Sequence, residues 1–257
     1  MNRIPLAVTF VVTNIIIVLF MEIGYRIGRT LHRKKKNEKE SAVSAISGSI
    51  LGLLAFILAF TFGIVSNKFE ARKALMREEA NAIGTLFLRA DLMPEPDRTK
   101  TKGLIRKYVG IRLDVLKTLD DENILRSLNE SNQIQQQLWS IATGHAQTDM
   151  NSPVASLYFQ SLNQVIDIQG MRVAVAYQTR IPSGIWMALY CLLILGMISI
   201  GYAAAVAESS RTLATIILAL SFSLVITLIA AMDGLQSKYI NISQQPMEDV
   251  RQSISGQ

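Results

Sequence analysis

Four long apolar blocks decide most of what this chain can become. They lie at about 5–25, 43–66, 184–206 and 212–232. A bilayer core is crossed by about 20 mostly apolar residues in helical form. Inside lipid each backbone polar group needs a partner within the segment, so such a block is a helix and not a coil. No ionisable side chain stands near the middle of any block. Glu22 closes the first, four residues before Arg26, a spacing that puts the two on one helix face. The sequence therefore predicts an all-α integral membrane protein with four transmembrane helices in a lipid bilayer.

Composition narrows the function classes. Of 257 residues, 50% are hydrophobic and only 18% charged, against roughly 25% charge in soluble domains. An ordinary soluble enzyme, a disordered chain and a nucleic-acid-binding domain are excluded, despite a pI of about 9.5. The single cysteine, Cys191, allows no disulfide framework. With two histidines, His32 and His145, little remains for a metal site. No nucleotide-binding loop, dinucleotide fingerprint, HExxH or GxSxG is present. The expectation is no enzyme, no cofactor, no metal and no nucleic-acid partner. The first block is too long for a signal peptide and lacks a small-x-small cleavage site after Phe20, so it reads as a retained helix.

Charge orients the spans. Segment 26–40 carries seven basic residues against two acidic. Short loops rich in Lys and Arg stay in the cytoplasm. The short connection Glu208–Arg211 falls on the same side. Both termini and residues 67–182 then lie outside the cytoplasm. Basic residues also flank the far ends of the helices, among them Lys68, Arg72, Lys73 and Lys238. Those within the 116-residue segment 67–182 weigh little, because long loops translocate largely regardless of charge.

Segment 67–182 reads as a helical bundle outside the membrane. Phe69, Met76, Ile83, Phe87 and Ala90 recur at helical spacing and continue the second span to Pro94. A second helix over 97–119 carries Leu104, Tyr108, Ile111, Val115 and Leu119 on one face. A third over 122–143 carries Leu125, Leu128, Leu138, Ile141 and Ala142, ending at Gly144. Asn151-Ser152-Pro153 is a start signal, with a capping side chain and proline at the first helical position. It opens a fourth helix to about 180, with Leu157, Tyr158, Leu162, Val165, Val173 and Ala176. Asp120-Asp121-Glu122 lacks the alternating ligands and glycine of a calcium loop and reads as a helix start. Gln133, Gln135, Gln136 and Gln137 read as a solvated face, and His145 as a surface-loop residue. The chain divides into 1–66, with a basic loop at 26–42; 67–182; 183–233; and a tail at 234–257, in which a helix starts near Pro246.

The second span holds the clearest pattern. Gly48, Gly52, Ala55, Ala59 and Gly63 fall within about an 80° arc, a small-residue stripe that lets another helix approach closely. The stripe serves packing either within one subunit or between subunits. Beside it run Phe56, Phe60 and Ile64 at i, i+4 and i+8. In a ring of subunits this row forms a hydrophobic constriction that gates by dewetting; otherwise it is a lipid-facing or core row. Thr13, Asn14 and Thr227 read as groups that hydrogen-bond to neighbouring helices or the backbone rather than line a route for ions.

Several ordered motifs together resemble a known group. They are Phe69-Glu70-Ala71-Arg72 leading into Glu78-Glu79-Ala80-Asn81-Ala82, then Leu92-Met93-Pro94-Glu95-Pro96, Met232-Asp233-Gly234, and Ile242-Ser243-Gln244-Gln245-Pro246-Met247. The chain resembles the bacterial bestrophin-like membrane family over about 40–250. The resemblance implies a bacterial inner-membrane location. It also implies a link to bestrophins, which are pentameric anion channels with a helical cytosolic region between their second and third spans. The span order agrees with that link and the charge pattern opposes its orientation. No acidic calcium clasp is found, and where many members read Asp-Arg-Pro this chain has Asp233-Gly234-Leu235, so that arginine has no counterpart. Two functions compete. One is a homo-oligomeric ion channel, anion-selective by resemblance. The other is a non-channel sensor or assembly protein displaying a helical extracytoplasmic domain.

Overall fold

A computed structural model describes residues 5–34, 39–114, 121–149, 152–175, 180–209, 213–234 and 242–256. Every regular element among them is a helix: α1 (Leu6–Lys34), α2 (Glu40–Arg89), a 3-10 turn (Ala90–Leu92), α3 (Asp97–Asp114), α4 (Asp121–Thr148), α5 (Pro153–Val173), α6 (Ser183–Val206), α7 (Leu213–Asp233) and α8 (Gln245–Ser255). Two compact units emerge. One comprises Met1–Phe69 and Arg180–Asn241, the other Glu70–Thr179 and Ile242–Gln257. The 50-residue α2 supplies residues to both.

Among the described residues four helices, α1, α2, α6 and α7, have the length and apolarity to span a bilayer; the first unit holds α1, α6, α7 and the part of α2 up to Phe69. Its core gathers Ile17, Leu54, Leu58, Leu189, Leu193, Met197, Ile226 and Ile229. Its outside is equally apolar: Val11, Ile15 and Leu19 on α1 and Ile216, Leu220 and Leu224 on α7 are all exposed. A unit with apolar surface inside and out suits hydrocarbon as its solvent, where polar groups bond within the protein. Thr13 Oγ1 lies 3.2 Å from the Tyr190 hydroxyl. Ser47 Oγ lies 2.8 Å from Ser199 Oγ and donates to the Ser199 carbonyl, 3.1 Å away, closing α2 on α6. Thr61 donates to the Ile57 carbonyl of its own helix, 2.7 Å away. The Glu22–Arg26 pair forms at 2.7 Å. Asn14 Nδ2 and Thr227 Oγ1, expected to bond to neighbouring helices or the backbone, are buried with no hydrogen-bond partner among the described residues.

The second unit packs α3 on α4, α4 on α5 and α3 on α8. The end of α2 adds Met76, Ile83, Leu86 and Phe87 to a core with Ile105, Leu138, Leu162, Val165, Met247 and Ile254. The Ser152 hydroxyl accepts from the Ala155 amide at 3.3 Å, with Pro153 opening α5, as the start signal predicts. A helix does begin at Gln245, beside Pro246, and Arg106 Nε caps its far end at the Ile254 carbonyl, 2.9 Å away. Residues 242–256, read as part of a tail, thereby belong to this unit.

Several details differ from the sequence reading. Gly144 does not stop α4, which runs to Thr148; a glycine inside a helix costs only about 1 kcal/mol, and none here takes a positive φ. The regular α5 ends at Val173, then widens into a π turn at 174–175. Leu125 and Leu157 are exposed, while their neighbours Ile124 and Tyr158 are buried. Gln135 is buried, although Gln133, Gln136 and Gln137 are exposed as expected. Residues 115–120, with Val115, Leu119 and Asp120, lie outside the described residues, as do Ala176, Ser210, Arg211 and Lys238.

Candidate functional site

The spanning part of α2 presents three different faces. Ser47, Leu54, Leu58, Thr61 and Val65 are buried in the first unit. The small-residue stripe and the Phe row stand roughly 130° from that face, one to each side. A Cβ added at Gly48, Gly52 or Gly63 would meet nothing within 4 Å. Phe56 and Phe60 are 65% and 60% exposed, and Ile64 is half-buried. Neither feature is consumed by packing inside one chain.

Close helix packing within the chain occurs elsewhere. A Cβ on Gly201 would overlap the Met21 carbonyl oxygen and come within 2.8 Å of the Tyr25 amide nitrogen. At Gly24 it would come within 2.8 Å of Ile198 Cα, and at Gly28 within 2.8 Å of Ala205 Cβ. Ascending α1 from 24 to 28 thus ascends α6 from 198 to 205, so the two helices run parallel with backbones in contact. Gly24 and Gly28 form a GxxxG pair, and it is this pair, not Gly48 and Gly52, that packs within the chain.

The second unit encloses an ionic centre. Glu79 of α2 is fully buried. Arg112 of α3 donates to it through Nε at 2.9 Å and Nη2 at 3.4 Å. Arg172 of α5 also bonds to Glu79. The Tyr108 hydroxyl lies 3.1 Å from Glu79 Oε1 and 2.8 Å from Gln169 Oε1, one proton facing two acceptors. Gln135 of α4 donates to Gln169, which donates to Asn132 at 3.2 Å. Burial holds the Tyr108 phenol above its ordinary pKa, against the opposing pull of Arg112 and Gln135. Burial lowers Arg172 to about 10, which leaves it charged at neutral pH. Two guanidiniums face one carboxylate, and four helices share the network.

A signal for this centre existed in the apolar stripes. Glu79 falls between Met76 and Ile83 on the α2 stripe, Arg112 follows Tyr108 by four, and Gln169 follows Val165 by four. A charged residue on a buried stripe demands a partner.

A smaller node lies in the first unit. Lys68 Nζ donates to Asp233 Oδ1 at 3.0 Å, and the Ile181 amide donates to the same oxygen at 3.2 Å. This ties α2 and the approach to α6 to the end of α7. His145 sits in the last turn of α4, not in a loop, and Nε2 lies 2.8 Å from Asp97 Oδ2. Among the described residues no group of three or more His, Cys, Asp or Glu side chains could hold a metal ion.

Fold and geometry thus define a multi-pass helical membrane protein whose second span leaves two patterned faces open. The sequence matches the profile of the Bestrophin-like domain over residues 15–247. The chain belongs to the bestrophin-like family. In fold it is similar to the crystal structure of a bacterial bestrophin homologue from Klebsiella pneumoniae carrying a point mutation. The TM-score is 0.57, with 98% of each chain covered, at 12% sequence identity. No curated protein matches it in sequence.

Proposed function

We propose that this chain forms a homo-oligomeric ion channel of the bacterial inner membrane, anion-selective by analogy with bestrophins, in which α2 lines the passage. The observation that carries this reading is the open two-thirds of α2. Its small-residue stripe allows a second copy to approach, and the Phe row lies about 100° further round, where neighbouring copies would turn it inward. Phe56, Phe60 and Ile64 would then stack as rings about 6 Å apart. An apolar ring narrow enough to shed water blocks ions without a moving plug. In planar bilayers at matched protein load, Phe60→Ser should raise conductance more than Phe222→Ser on α7. Selectivity should change less than conductance, because no charge is altered. Silence from all of the proteins, shown to be oligomeric, would favour the sensor or assembly reading. Equal currents would move the gate away from α2.

The orientation is proposed from the basic segment 26–40: it lies in the cytoplasm, with both termini and residues 67–182 as a helical domain outside it. Labelling tests this in intact cells, with the exposed native Cys191 first replaced by alanine. A cysteine placed at 33–40 should be shielded from an impermeant maleimide, and one at 145–150 labelled. The reverse pattern would establish the opposite orientation.

A further inference from the structure

We infer that the groove between the start of α2 and the second half of α6 is a binding site for one anionic glycerophospholipid. The groove encloses about 570 Å³. Val43 and Ile46 on α2 face Leu195 and Ile198 on α6, with Lys39 and Tyr202 also lining it. Ile46 and Leu195 are 61% and 54% exposed, so the apolar wall is uncovered. The Ser47–Ser199 hydrogen bonds join the two helices beside it. From Leu195 to Tyr202 the wall rises roughly 10 Å, room for the upper part of one acyl chain.

Charge selects the occupant. The parallel contact of α1 and α6 sets Gly24 against Ile198 and Gly28 against Tyr202. The exposed Arg29 of α1 therefore ends at the height of the groove, beside an Arg26 already paired with Glu22, and exposed Lys39 immediately precedes α2 there. Segment 26–40 carries seven basic residues against two acidic. Basic clusters at the end of a span attract anionic headgroups by about a fivefold gain in affinity per residue. A phospholipid phosphate near Lys39, with its acyl chain against Ile46 and Leu195, satisfies both halves of the groove. Nothing in this inference requires that the protein conduct ions.

The test uses the full-length chain, purified in mild detergent, stripped of lipid and mixed with phosphatidylglycerol or phosphatidylcholine micelles. Native mass spectrometry then counts the lipids retained per chain. Wild type should keep one phosphatidylglycerol and prefer it at least about fivefold over phosphatidylcholine. Lys39→Gln should cut phosphatidylglycerol retention about fivefold and leave phosphatidylcholine unchanged. Ile46→Trp, which fills the groove from an exposed position, should reduce retention of both. Leu195→Trp repeats that test from the other wall, with circular dichroism and elution volume confirming the fold of each variant. Equal retention of the two lipids by wild type would overturn the inference, as would undiminished retention by the folded tryptophan variants. Loss of oligomers in those variants, with no lipid held by wild type, would assign the groove to a second copy instead.

Discussion

Glu79→Ala should destabilise the second helical unit by about 3–5 kcal/mol, the penalty for breaking a buried ion pair from one side. Glu79 is fully buried, and side-chain exposure is only 7% at Arg112 and 16% at Arg172. Alanine would leave both guanidiniums with no carboxylate, and would also remove one acceptor of the Tyr108 hydroxyl. The chain's two tryptophans make the effect readable. Trp139 of α4 lies edge-on to Phe159 of α5, with ring centroids 5.1 Å apart, inside the second unit. Trp186 belongs to the first. In a Trp186→Phe background, the denaturation midpoint reported by Trp139 should fall sharply on Glu79→Ala. Glu79→Leu combined with Arg112→Met and Arg172→Met should recover most of the loss, because an apolar replacement removes the desolvation cost along with the attraction. An unfolding free energy within about 1 kcal/mol of wild type for Glu79→Ala alone would refute a structural role for the centre.

The same centre fixes a pH dependence. Arg172 is a base whose folded pKa is depressed, to about 10, by burial. Its proton is bound in both states below that value, so its burial penalty is constant there. The penalty is relieved only as the pH rises through about 10 toward the ordinary arginine value, where the folded state releases its proton first. From pH 7 to 9 the Arg172 contribution to stability should therefore be flat.

The sequence made the spans and most helix starts legible because each rests on a local signal. Twenty apolar residues need no knowledge of partners, and Ser152-Pro153 and Pro246 mark helix starts by their own backbone chemistry. The ionic centre was hidden because its members come from four helices between positions 79 and 172. Each looks like an ordinary polar residue until the apolar stripe beneath it is noticed. Gln135 shows the same problem in miniature: three neighbouring glutamines are solvated, and the one in register with Ser131 and Leu138 is not. Helix ends are least legible where a weak signal stands alone. Gly144 by itself suggests a stop, but α4 continues through His145 to Thr148, with the imidazole Nε2 2.8 Å from Asp97 Oδ2. The stripe on α2 was visible from spacing, yet spacing could not tell which of two glycine pairs its own chain would use.

That distinction predicts opposite outcomes for two glycine substitutions. Gly201→Leu should prevent the first unit from folding, since even the first side-chain atom would overlap the Met21 carbonyl oxygen and crowd the Tyr25 amide. Overpacking among movable side chains costs about 1–3 kcal/mol. Here the obstacle is backbone, which relaxes only if α1 and α6 separate and open the core around Ile17 and Leu193. Gly52→Leu meets nothing within 4 Å in its own chain, so the monomer fold should survive, with the Trp186 fluorescence transition unchanged. Its leucine would instead block a neighbouring helix that approaches along Gly48, Gly52, Ala55, Ala59 and Gly63. Light scattering in mild detergent should show wild type as an oligomer, Gly52→Leu shifted toward monomer, and Gly201→Leu aggregated or degraded. An intact oligomer of folded Gly52→Leu would return the stripe to lipid contact and take with it the assembly on which an α2-lined passage depends. A folded, oligomeric Gly201→Leu would show that α1 and α6 do not need their backbone contact, and that the pairing of Gly24 and Gly28 with α6 is incidental.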